Sequence, residues 1–225
     1  QHSEEQKRGI SIKLGYADAD FYRVKEKGGY RYTSQKAKGA EYLRTVSFVD
    51  APGHETLMAI MLSGAAIMDA AILLVAANEK CPQAQTREHL SALETMGLEN
   101  IVVVQNKIDV CSEQRAQESY AEIREFLAGT TLTDCPVVPV SAHHNRNIDL
   151  LIEVLEELFP TPKRNPQAEL SMNIARSFDI NRPGTLPKKL MGGVIGGSLI
   201  QGELAVGDEI EIRPGRKTNR GWEPI

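Results

Sequence analysis

Residues 106–109, Asn106-Lys107-Ile108-Asp109, carry the side chains that recognition of a guanine base requires. A carboxylate at Asp109 can accept two hydrogen bonds, one from the ring N–H of guanine and one from its exocyclic amine. Adenine lacks this pair of donors, so such a site can discriminate by about 10⁴-fold or more. Lys107 can lay its alkyl chain over the base, and Asn106 can tie neighbouring loops together. The alternative is a strand end with an Asx turn before a helix.

Two further polar segments also follow predicted strands, in the order that a nucleotide site requires. Ser141-Ala142-His143 could present a backbone N–H to the guanine O6. In the segment Asp50-Ala51-Pro52-Gly53-His54, the Gly53 N–H could meet a γ-phosphate and Asp50 could hold a Mg²⁺-bound water. Because three complementary segments in order are far less expected by chance than one, together they predict a guanine-nucleotide site.

The elements that would position these segments alternate between strands and helices from residue 42 onward. This alternation implies an α/β fold, a doubly wound, mostly parallel sheet with helices on both faces and ligands at the carboxyl ends of its strands. The third helix is predicted to bury Ala116, Tyr120, Ile123 and Leu127. The predicted strands are 42–50, 70–77, 101–105 and 136–140, and the predicted helices are 51–63, 86–96, 113–128 and 148–159.

A proline-rich segment separates this region from one with a different composition. Residues 160–166, PTPKRNP, contain three prolines, which end a helix and form a stiff linker. Nine of the 18 glycines lie in residues 184–225, where no helical period is visible. We therefore predict a nucleotide-binding domain at 1–162, a linker at 163–168 and the beginning of a small β-barrel or sandwich at 169–225, with strands at 170–178, 194–200 and 209–213.

Composition excludes several classes of protein. Of the 225 residues, 41% are apolar and 25% are charged, which is typical of a globular protein and not of a disordered or collagen-like chain. Cys81, Cys111 and Cys135 form no CxxC pair, which fits a reducing cytoplasm. The apolar span 57–77 could cross a bilayer, but Asp69 would cost about 2.5–3.5 kcal/mol there, so we expect no membrane partner.

The net charge of −4 is unevenly distributed. Residues 1–44 hold 10 basic and 6 acidic side chains, residues 45–162 hold 6 and 17, and residues 163–225 hold 10 and 7. No region is basic enough to identify a nucleic-acid-binding protein by charge alone, so any RNA contact must be local.

With these motifs, the sequence resembles the translational GTPases, and among them the gamma subunits of archaeal and eukaryotic translation initiation factor 2. The segments VSFVDAPGHETLMAIMLSGAAIMDAAILLVAANE and VVQNKIDV contain motifs shared with elongation factors. The SAHH loop, the PTPKR linker and ARSFDINRPGT are more specific to these subunits. The resemblance covers nearly the whole chain. It implies a P-loop GTPase-type fold that binds GTP or GDP with Mg²⁺ and hydrolyses GTP.

The resemblance also assigns functions to individual residues. Residues 8–12 are similar to the end of switch I, where Ser11 stands in the place of a Mg²⁺-contacting hydroxyl residue and Gly9 falls in the metal site with Asp50. His54 occupies the position, in the segment similar to switch II, of the histidine that orients the attacking water. From the residues alone, 8–12 also fits an edge strand, and His54 fits an exposed turn residue.

The chain departs from the family pattern in its missing phosphate loop. No G-x-x-x-x-G-K-[ST] sequence occurs, and the chain opens within the segment similar to switch I. We therefore expect a piece without the family's first strand, phosphate loop and last β domain. Because the phosphate loop holds the β- and γ-phosphates, we expect the chain alone to bind and hydrolyse GTP poorly. The missing strand would leave the edges of strands 42–50 and 70–77 unpaired.

A second departure lies in residues 16–44, where many family members carry a zinc knuckle. This segment contains no Cys and no His, so zinc is not supported. It has instead five tyrosines interleaved with basic residues. It is open to two interpretations, a surface on which RNA bases stack and a solvated hairpin whose lysines lie against tyrosines. The residues are Tyr16, Tyr22, Tyr30, Tyr32 and Tyr42, with Lys25, Lys27, Arg31, Lys36 and Lys38.

For the intact factor, the resemblance implies a switch in translation initiation. GTP and Mg²⁺ would order two loops, the factor would deliver methionylated initiator tRNA to the small ribosomal subunit, and hydrolysis would release it. The resemblance also implies alpha and beta subunit partners, and a part for residues 166–225 in holding the tRNA. A selenocysteine-specific or other tRNA-carrying elongation factor is an alternative with the same fold. A non-catalytic scaffold with a degenerate GTPase fold is an alternative from another class.

Overall fold

The computed structural model of the chain describes residues 15–50, 68–219 and 221–225. The chain divides into two units, Gln1–Pro162 and Lys163–Ile225. Their boundary falls within the proline-rich segment 160–166, and neither helix nor strand occurs between residues 158 and 171. The predicted helix 51–63 lies outside the described residues.

A parallel sheet of three strands carries the core of the first unit. The strands are β4 (Ala71–Ala76), β5 (Ile101–Asn106) and β6 (Val137–Pro139), in the order β4-β5-β6. The central strand β5 is buried from residue 101 to residue 105. Burial on both faces explains why its sequence is a continuous apolar run rather than an alternating one.

In the part of the chain that the structure describes, three helices cover the two faces of this sheet. They are α1 (Ala84–Thr95), α2 (Glu113–Leu127) and α3 (Ile148–Leu158). Successive residues of β5 point to opposite faces, so Val103 packs with α1 and α2, whereas Val102 packs with α3. The predicted α/β fold with helices on both faces is confirmed.

One position on the buried face of α2 was predicted wrongly. Tyr120 was expected to be inside, but its side chain is 43% exposed, and Ser119 is fully buried instead. Ile123 and Leu127 set the buried line of this helix at a spacing of four, and four residues before Ile123 comes Ser119. Tyr120 is turned away from that line by about 100°.

The described residues before β4 form a separate antiparallel sheet. Its strands are β1 (Gly15–Glu26), β2 (Gly29–Thr33) and β3 (Glu41–Asp50), in the order β2-β1-β3. Gly28 joins β1 to β2 with φ at 107°, a conformation that residues with a Cβ rarely adopt. The β1–β2 pair is the hairpin of the second interpretation, while the position of its lysines against tyrosines stays a prediction. Phe21 anchors the hairpin, since its buried ring packs with residues of β5 and α3.

Strands β3 and β4 are both at the edges of their sheets among the described residues. Leu74 of β4 is 63% exposed, which is unusual for an apolar residue of a central sheet. That these two edges are unpaired in the chain stays a prediction, because residues 1–14 and 51–67 lie outside the described residues.

The second unit is built from β hairpins and loops. β7 (Ser171–Phe178) pairs antiparallel with β8 (Val194–Gln201), and β9 (Arg216–Thr218) pairs with β10 (Gly221–Glu223). A short 3₁₀ helix, Pro187–Lys189, lies between β7 and β8. Gly197 has to be glycine, because a Cβ there would overlap the carbonyl oxygen of Asn173 on the paired strand.

The predicted strand at residues 209–213 is wrong. In this segment Ile212 alone exchanges backbone hydrogen bonds with another part of the described chain, at 2.7 and 3.1 Å to Ile225. Pro214 has no N–H to extend the pairing, and Gly215 turns the chain with φ at 80°. The strand forms after this turn, as β9.

Arg44 connects the antiparallel sheet to the end of α3. Its guanidinium donates to Glu156 Oε1 at 2.6 Å and to the carbonyl oxygens of Phe159 and Leu155 at 2.6 and 3.1 Å. The Phe159 carbonyl lies just past the end of α3, where no further helical N–H follows, so the guanidinium supplies its donor. The Leu155 carbonyl accepts the Phe159 N–H at 3.0 Å as well as the guanidinium. Both charged side chains are largely buried, with 21% of Arg44 and 15% of Glu156 exposed.

We expect Arg44→Met to lower the free energy of unfolding by about 2–3 kcal/mol, because it leaves the Glu156 carboxylate and two carbonyl groups without a charged donor. Arg31→Met is the matched control. The ion pair of Arg31 with Glu26 is about half exposed on both sides, so its loss should cost under about 1 kcal/mol. Urea unfolding followed by circular dichroism measures both, and equal midpoints would contradict the anchoring function of Arg44.

Candidate nucleotide-binding site

Two loops meet at the carboxyl ends of β5 and β6, and Asn106 joins them. Its Oδ1 accepts the backbone N–H of Lys107 at 2.8 Å and that of Ala142, in the other loop, at 3.2 Å. Its carbonyl oxygen accepts the N–H of Ala77, after the end of β4, at 2.8 Å. One residue therefore holds together the ends of three neighbouring strands.

Lys107 has an unusual backbone conformation at the start of the first loop. Its φ is 64°, in the left-handed region that residues other than glycine seldom occupy. The Asn106 Oδ1 bond to the Lys107 N–H helps to hold this turn. The Lys107 side chain is exposed at the edge of the sheet. Residues in such conformations persist where the surrounding structure fixes them, and they cluster at functional sites.

Asp109 has a largely buried carboxylate, with 14% of the side chain exposed. The Ser141 hydroxyl, which hydrogen-bonds to this carboxylate, lowers the pKa of Asp109 below its ordinary value, and the backbone N–H of Asp109 adds to the effect. His144 Nε2 lies 3.7 Å from Asp109 Oδ2. The site therefore keeps a negative charge ready to accept hydrogen bonds.

The second loop is closed on itself. Ser141 and Arg146 exchange backbone hydrogen bonds at 3.2 and 3.0 Å, and Ser141 Oγ accepts the N–H of His144 at 3.2 Å. Ser141 is fully buried. Its hydroxyl thus accepts one hydrogen bond from its own loop, and it also acts on the Asp109 carboxylate of the first loop, whose pKa it lowers.

The structure brings together most of the residues predicted to contact the base. Asn106, Asp109, Ser141 and Ala142 are linked by the contacts above. His143 follows them, and its ring lies edge-on to that of His144 with the centroids 4.7 Å apart.

In the part of the chain that the structure describes, no residue predicted to contact phosphate or metal is brought together with the two loops. Asp50 is the exposed last residue of β3 and pairs in register with Gly15, and it makes no hydrogen bond to the two loops among the described residues. The catalytic candidate His54, the phosphate candidate Gly53 and the metal candidates Gly9 and Ser11 lie outside the described residues.

The sequence motifs did not predict the contacts of two residues near the site, His144 and Gln105. His144 contacts Asp109 across the loops, and only its position next to His143 could have suggested it. Gln105 is 2% exposed, and its Nε2 donates to the carbonyl oxygen of Ala116 at 2.7 Å, which ties α2 to the end of β5. A polar residue at the end of an otherwise apolar strand was the available signal.

Neither a metal cluster nor a membrane span was found in the described parts of the chain. Across residues 15–50, 68–219 and 221–225, no group of three or more His, Cys, Asp or Glu side chains is placed to hold a metal ion. In the same ranges, no helix is long and apolar enough to cross a membrane.

The elongation factor Tu GTP-binding domain family matches residues 1–161 of the chain. The chain belongs to this family.

Among curated proteins, gamma subunits of translation initiation factor 2 are similar to this member of the family. The subunit of Thermoplasma acidophilum is 59% identical over the whole chain, and that of Methanocaldococcus jannaschii is 54% identical. The subunit of Methanothermobacter thermautotrophicus is 60% identical over 95% of the chain. The chain spans 54–56% of the length of these relatives. The resemblance to these subunits is confirmed.

Solved structures with a similar fold come from elongation factors. A bacterial selenocysteine-specific elongation factor, EF-Sec, matches 95% of this chain and 32% of its own, with a TM-score of 0.70 and 26% identity. Elongation factor SelB of Methanococcus maripaludis, solved in complex with the GTP analogue GppNHp, matches 91% of this chain and 39% of its own, with a TM-score of 0.68 and 25% identity.

Ser141→Ala is expected to raise the pKa of Asp109 toward its usual value, because it removes the hydroxyl that stabilises the charged form. A lowered carboxyl pKa in the folded state stabilises the fold at pH values above the unfolded pKa, and this contribution is lost as the pH falls through the folded value. The variant should therefore show a weaker loss of stability in acid. Carbon-13 NMR titration of the Asp109 carboxyl carbon measures the pKa directly.

The control for this variant is Ser119→Ala, which removes a second fully buried hydroxyl. Ser119 Oγ has no hydrogen-bond partner among the described residues, so we expect neither the Asp109 pKa nor the acid stability to change. An Asp109 titration that is the same in Ser141→Ala and in the parent would show that the Ser141 contact does not set the charge of the site.

Proposed function

We propose that the first unit binds guanine nucleotides through the two loops at the ends of β5 and β6, as part of the GTP-binding subunit of a translation initiation factor. The observation that carries the proposal is the joined pair of loops, in which Asn106 binds the backbone of both loops and Ser141 lowers the pKa of Asp109. Two loops fixed in this way present a preorganised acceptor to a ligand, which reduces the cost of ordering on binding.

The proposed division of the base contacts follows from the donors and acceptors available. Asp109 accepts the ring N–H and the exocyclic amine of guanine, and the Lys107 alkyl chain covers the base. The backbone of residues 141–143 faces the base oxygen. Asn106 acts as a positioning residue, because its side-chain oxygen is already occupied by two backbone N–H groups.

We propose that GTP hydrolysis and Mg²⁺ binding rest on residues assigned by family resemblance. Ser11, Gly9 and Asp50 would form the Mg²⁺ site. Gly53 would contact the γ-phosphate, and His54 would orient the water that attacks it. When bound, the metal ion neutralises phosphate charge.

For the whole factor, we propose the function of the curated relatives. The subunit would work in the cytoplasm with alpha and beta subunits and would deliver methionylated initiator tRNA to the small ribosomal subunit, with GTP hydrolysis as the release step. Identities of 54–60% to gamma subunits support this assignment.

A second candidate function is selenocysteine-specific elongation, favoured by the TM-scores of 0.70 and 0.68 to such factors. Identity to these structures is 25–26%, less than half of that to the initiation-factor subunits. Binding of methionylated initiator tRNA and of selenocysteinyl-tRNA to the full-length protein in the presence of a GTP analogue separates the two. Preference for selenocysteinyl-tRNA would replace the initiation function with the second candidate.

In the full-length protein, Asp109→Asn should weaken GTP binding by about 10³-fold or more, because the amide presents an N–H donor where guanine needs an acceptor. Xanthosine triphosphate has a carbonyl in place of the exocyclic amine, so the same variant should bind it better than the parent does. Fluorescence competition against a labelled GTP analogue measures both affinities.

Asp134→Asn is the control for this change, because Asp134 is an exposed aspartate of the same unit that precedes the start of β6, whereas the loop with Ser141 follows the end of that strand. It should leave the affinities for both nucleotides unchanged. If Asp109→Asn prefers GTP over xanthosine triphosphate as strongly as the parent does, the guanine assignment fails.

A further inference from the structure

The hairpin of β1 and β2 and the loop after it form a basic segment, residues 23–38, on a unit that is otherwise acidic. This basic hairpin contains six basic residues and one acidic residue, whereas residues 45–162 contain 6 basic and 17 acidic residues. The charge reverses along β1 itself, since the charged residues of its first half are Asp18 and Asp20.

Arginines and lysines of the basic hairpin differ in their contacts. Arg23 forms an ion pair with Glu41 at 2.8 Å, and Arg31 forms one with Glu26 at 2.7 Å. The lysines form no ion pair or hydrogen bond with any described residue, in ranges 15–50, 68–219 and 221–225. Their four positive charges are therefore not neutralised within this part of the protein. They are Lys25, Lys27, Lys36 and Lys38.

The basic hairpin is anchored at its base and open at its tip. Phe21 and Tyr22 at the base are 3% and 8% exposed. Residues 25–31 at the tip are all exposed. No heavy atom lies within 4 Å of the place where a Cβ would stand on Gly28 or on Gly29, so a ligand can approach the backbone there closely.

The tyrosine rings in the basic hairpin, Tyr30 and Tyr32, and the neighbouring ring of Tyr22 are already in contact with other side chains. The guanidinium of Arg23 lies over the ring of Tyr30, 4.7 Å from its centroid. Tyr22 meets Tyr42 edge-on with the centroids 5.7 Å apart, and Tyr32 packs against the core cluster that contains Phe21. These contacts favour the lysines over the aromatic rings as the binding groups, and phosphate over an unstacked base as their target.

We propose that the basic hairpin binds the phosphate backbone of double-helical RNA through its four unpaired lysines. The lysine ammonium groups are flexible point charges that suit phosphates spaced along a helix. Both arginines, whose forked groups could read bases, are already paired with carboxylates, Arg31 with Glu26 in the hairpin and Arg23 with Glu41 on β3. The binding is therefore independent of sequence. This goes beyond the proposed function, which assigns no RNA contact to this segment.

The test uses the full-length protein and a fluorescent RNA duplex of about 20 base pairs. On a double helix, each phosphate contact contributes about −0.9 to the slope of log affinity against log salt concentration, so four contacts contribute about −3.6. The variant K25Q/K27Q/K36Q/K38Q should lose this part of the slope and bind the duplex at least about tenfold more weakly at low salt. The matched variant K25R/K27R/K36R/K38R keeps the charges and should retain the slope.

Several controls separate this proposal from general electrostatics and from other ligands. K80Q/R87Q removes two positive charges from a different part of the same unit and should change the slope less than K25Q/K27Q does. An equal effect of the two pairs, or an unchanged slope in the fourfold glutamine variant, overturns the proposal. Tighter binding of single-stranded RNA than of the duplex overturns it as well, and so does equal competition by polyglutamate, which would indicate a surface for an acidic protein.

GTP affinity, measured on the same samples, separates this inference from the proposed function. The lysine variants should keep the GTP affinity of the parent, which shows that they are folded. If the glutamine variant does not fold, the salt slope of the arginine variant and that of the K25Q/K27Q pair decide the proposal. If the parent does not bind GTP, the proposed function is contradicted. The RNA-binding result is then judged from the salt slopes alone.

Discussion

Asn106 makes the interactions on which the candidate site depends. Its backbone carbonyl is bound by the end of β4, and its side-chain oxygen is bound by the N–H groups of its own loop and of the loop after β6. Parallel strands bring their carboxyl ends to one edge of a sheet, but they do not fix the loops that follow. In this unit a single amide does so, because one carbonyl oxygen can accept two hydrogen bonds.

The charge of the site depends on the geometry that Asn106 sets. Ser141 reaches the Asp109 carboxylate because the two loops are held together, and this contact lowers the pKa of Asp109. Burial of most of the side chain acts in the opposite direction, because it disfavours the charged form. The strand pairing therefore positions the loops, the link between the loops positions Ser141, and Ser141 shifts the pKa of Asp109.

The antiparallel sheet has a different relation to the core. Phe21 and Arg44 fix its base, the first by packing with β5 and α3 and the second by binding the last turn of α3. With the base held in this way, the tip is free of any packing function. Charged side chains that would be costly at the base, where burial removes water, are tolerated at the tip because they remain solvated.

The sequence by itself determined the alternation of strands and helices, the hairpin, and the loops that carry Asn106, Asp109 and Ser141, because periodicity and motif spacing are local properties of the chain. It did not determine that Ser119 is buried and Tyr120 exposed, or that His144 lies beside Asp109. It also did not determine that the strand in this region is β9 and not residues 209–213. These outcomes depend on which surfaces meet. A side chain's burial and its charged neighbours come from residues distant in sequence, so tertiary packing decided them.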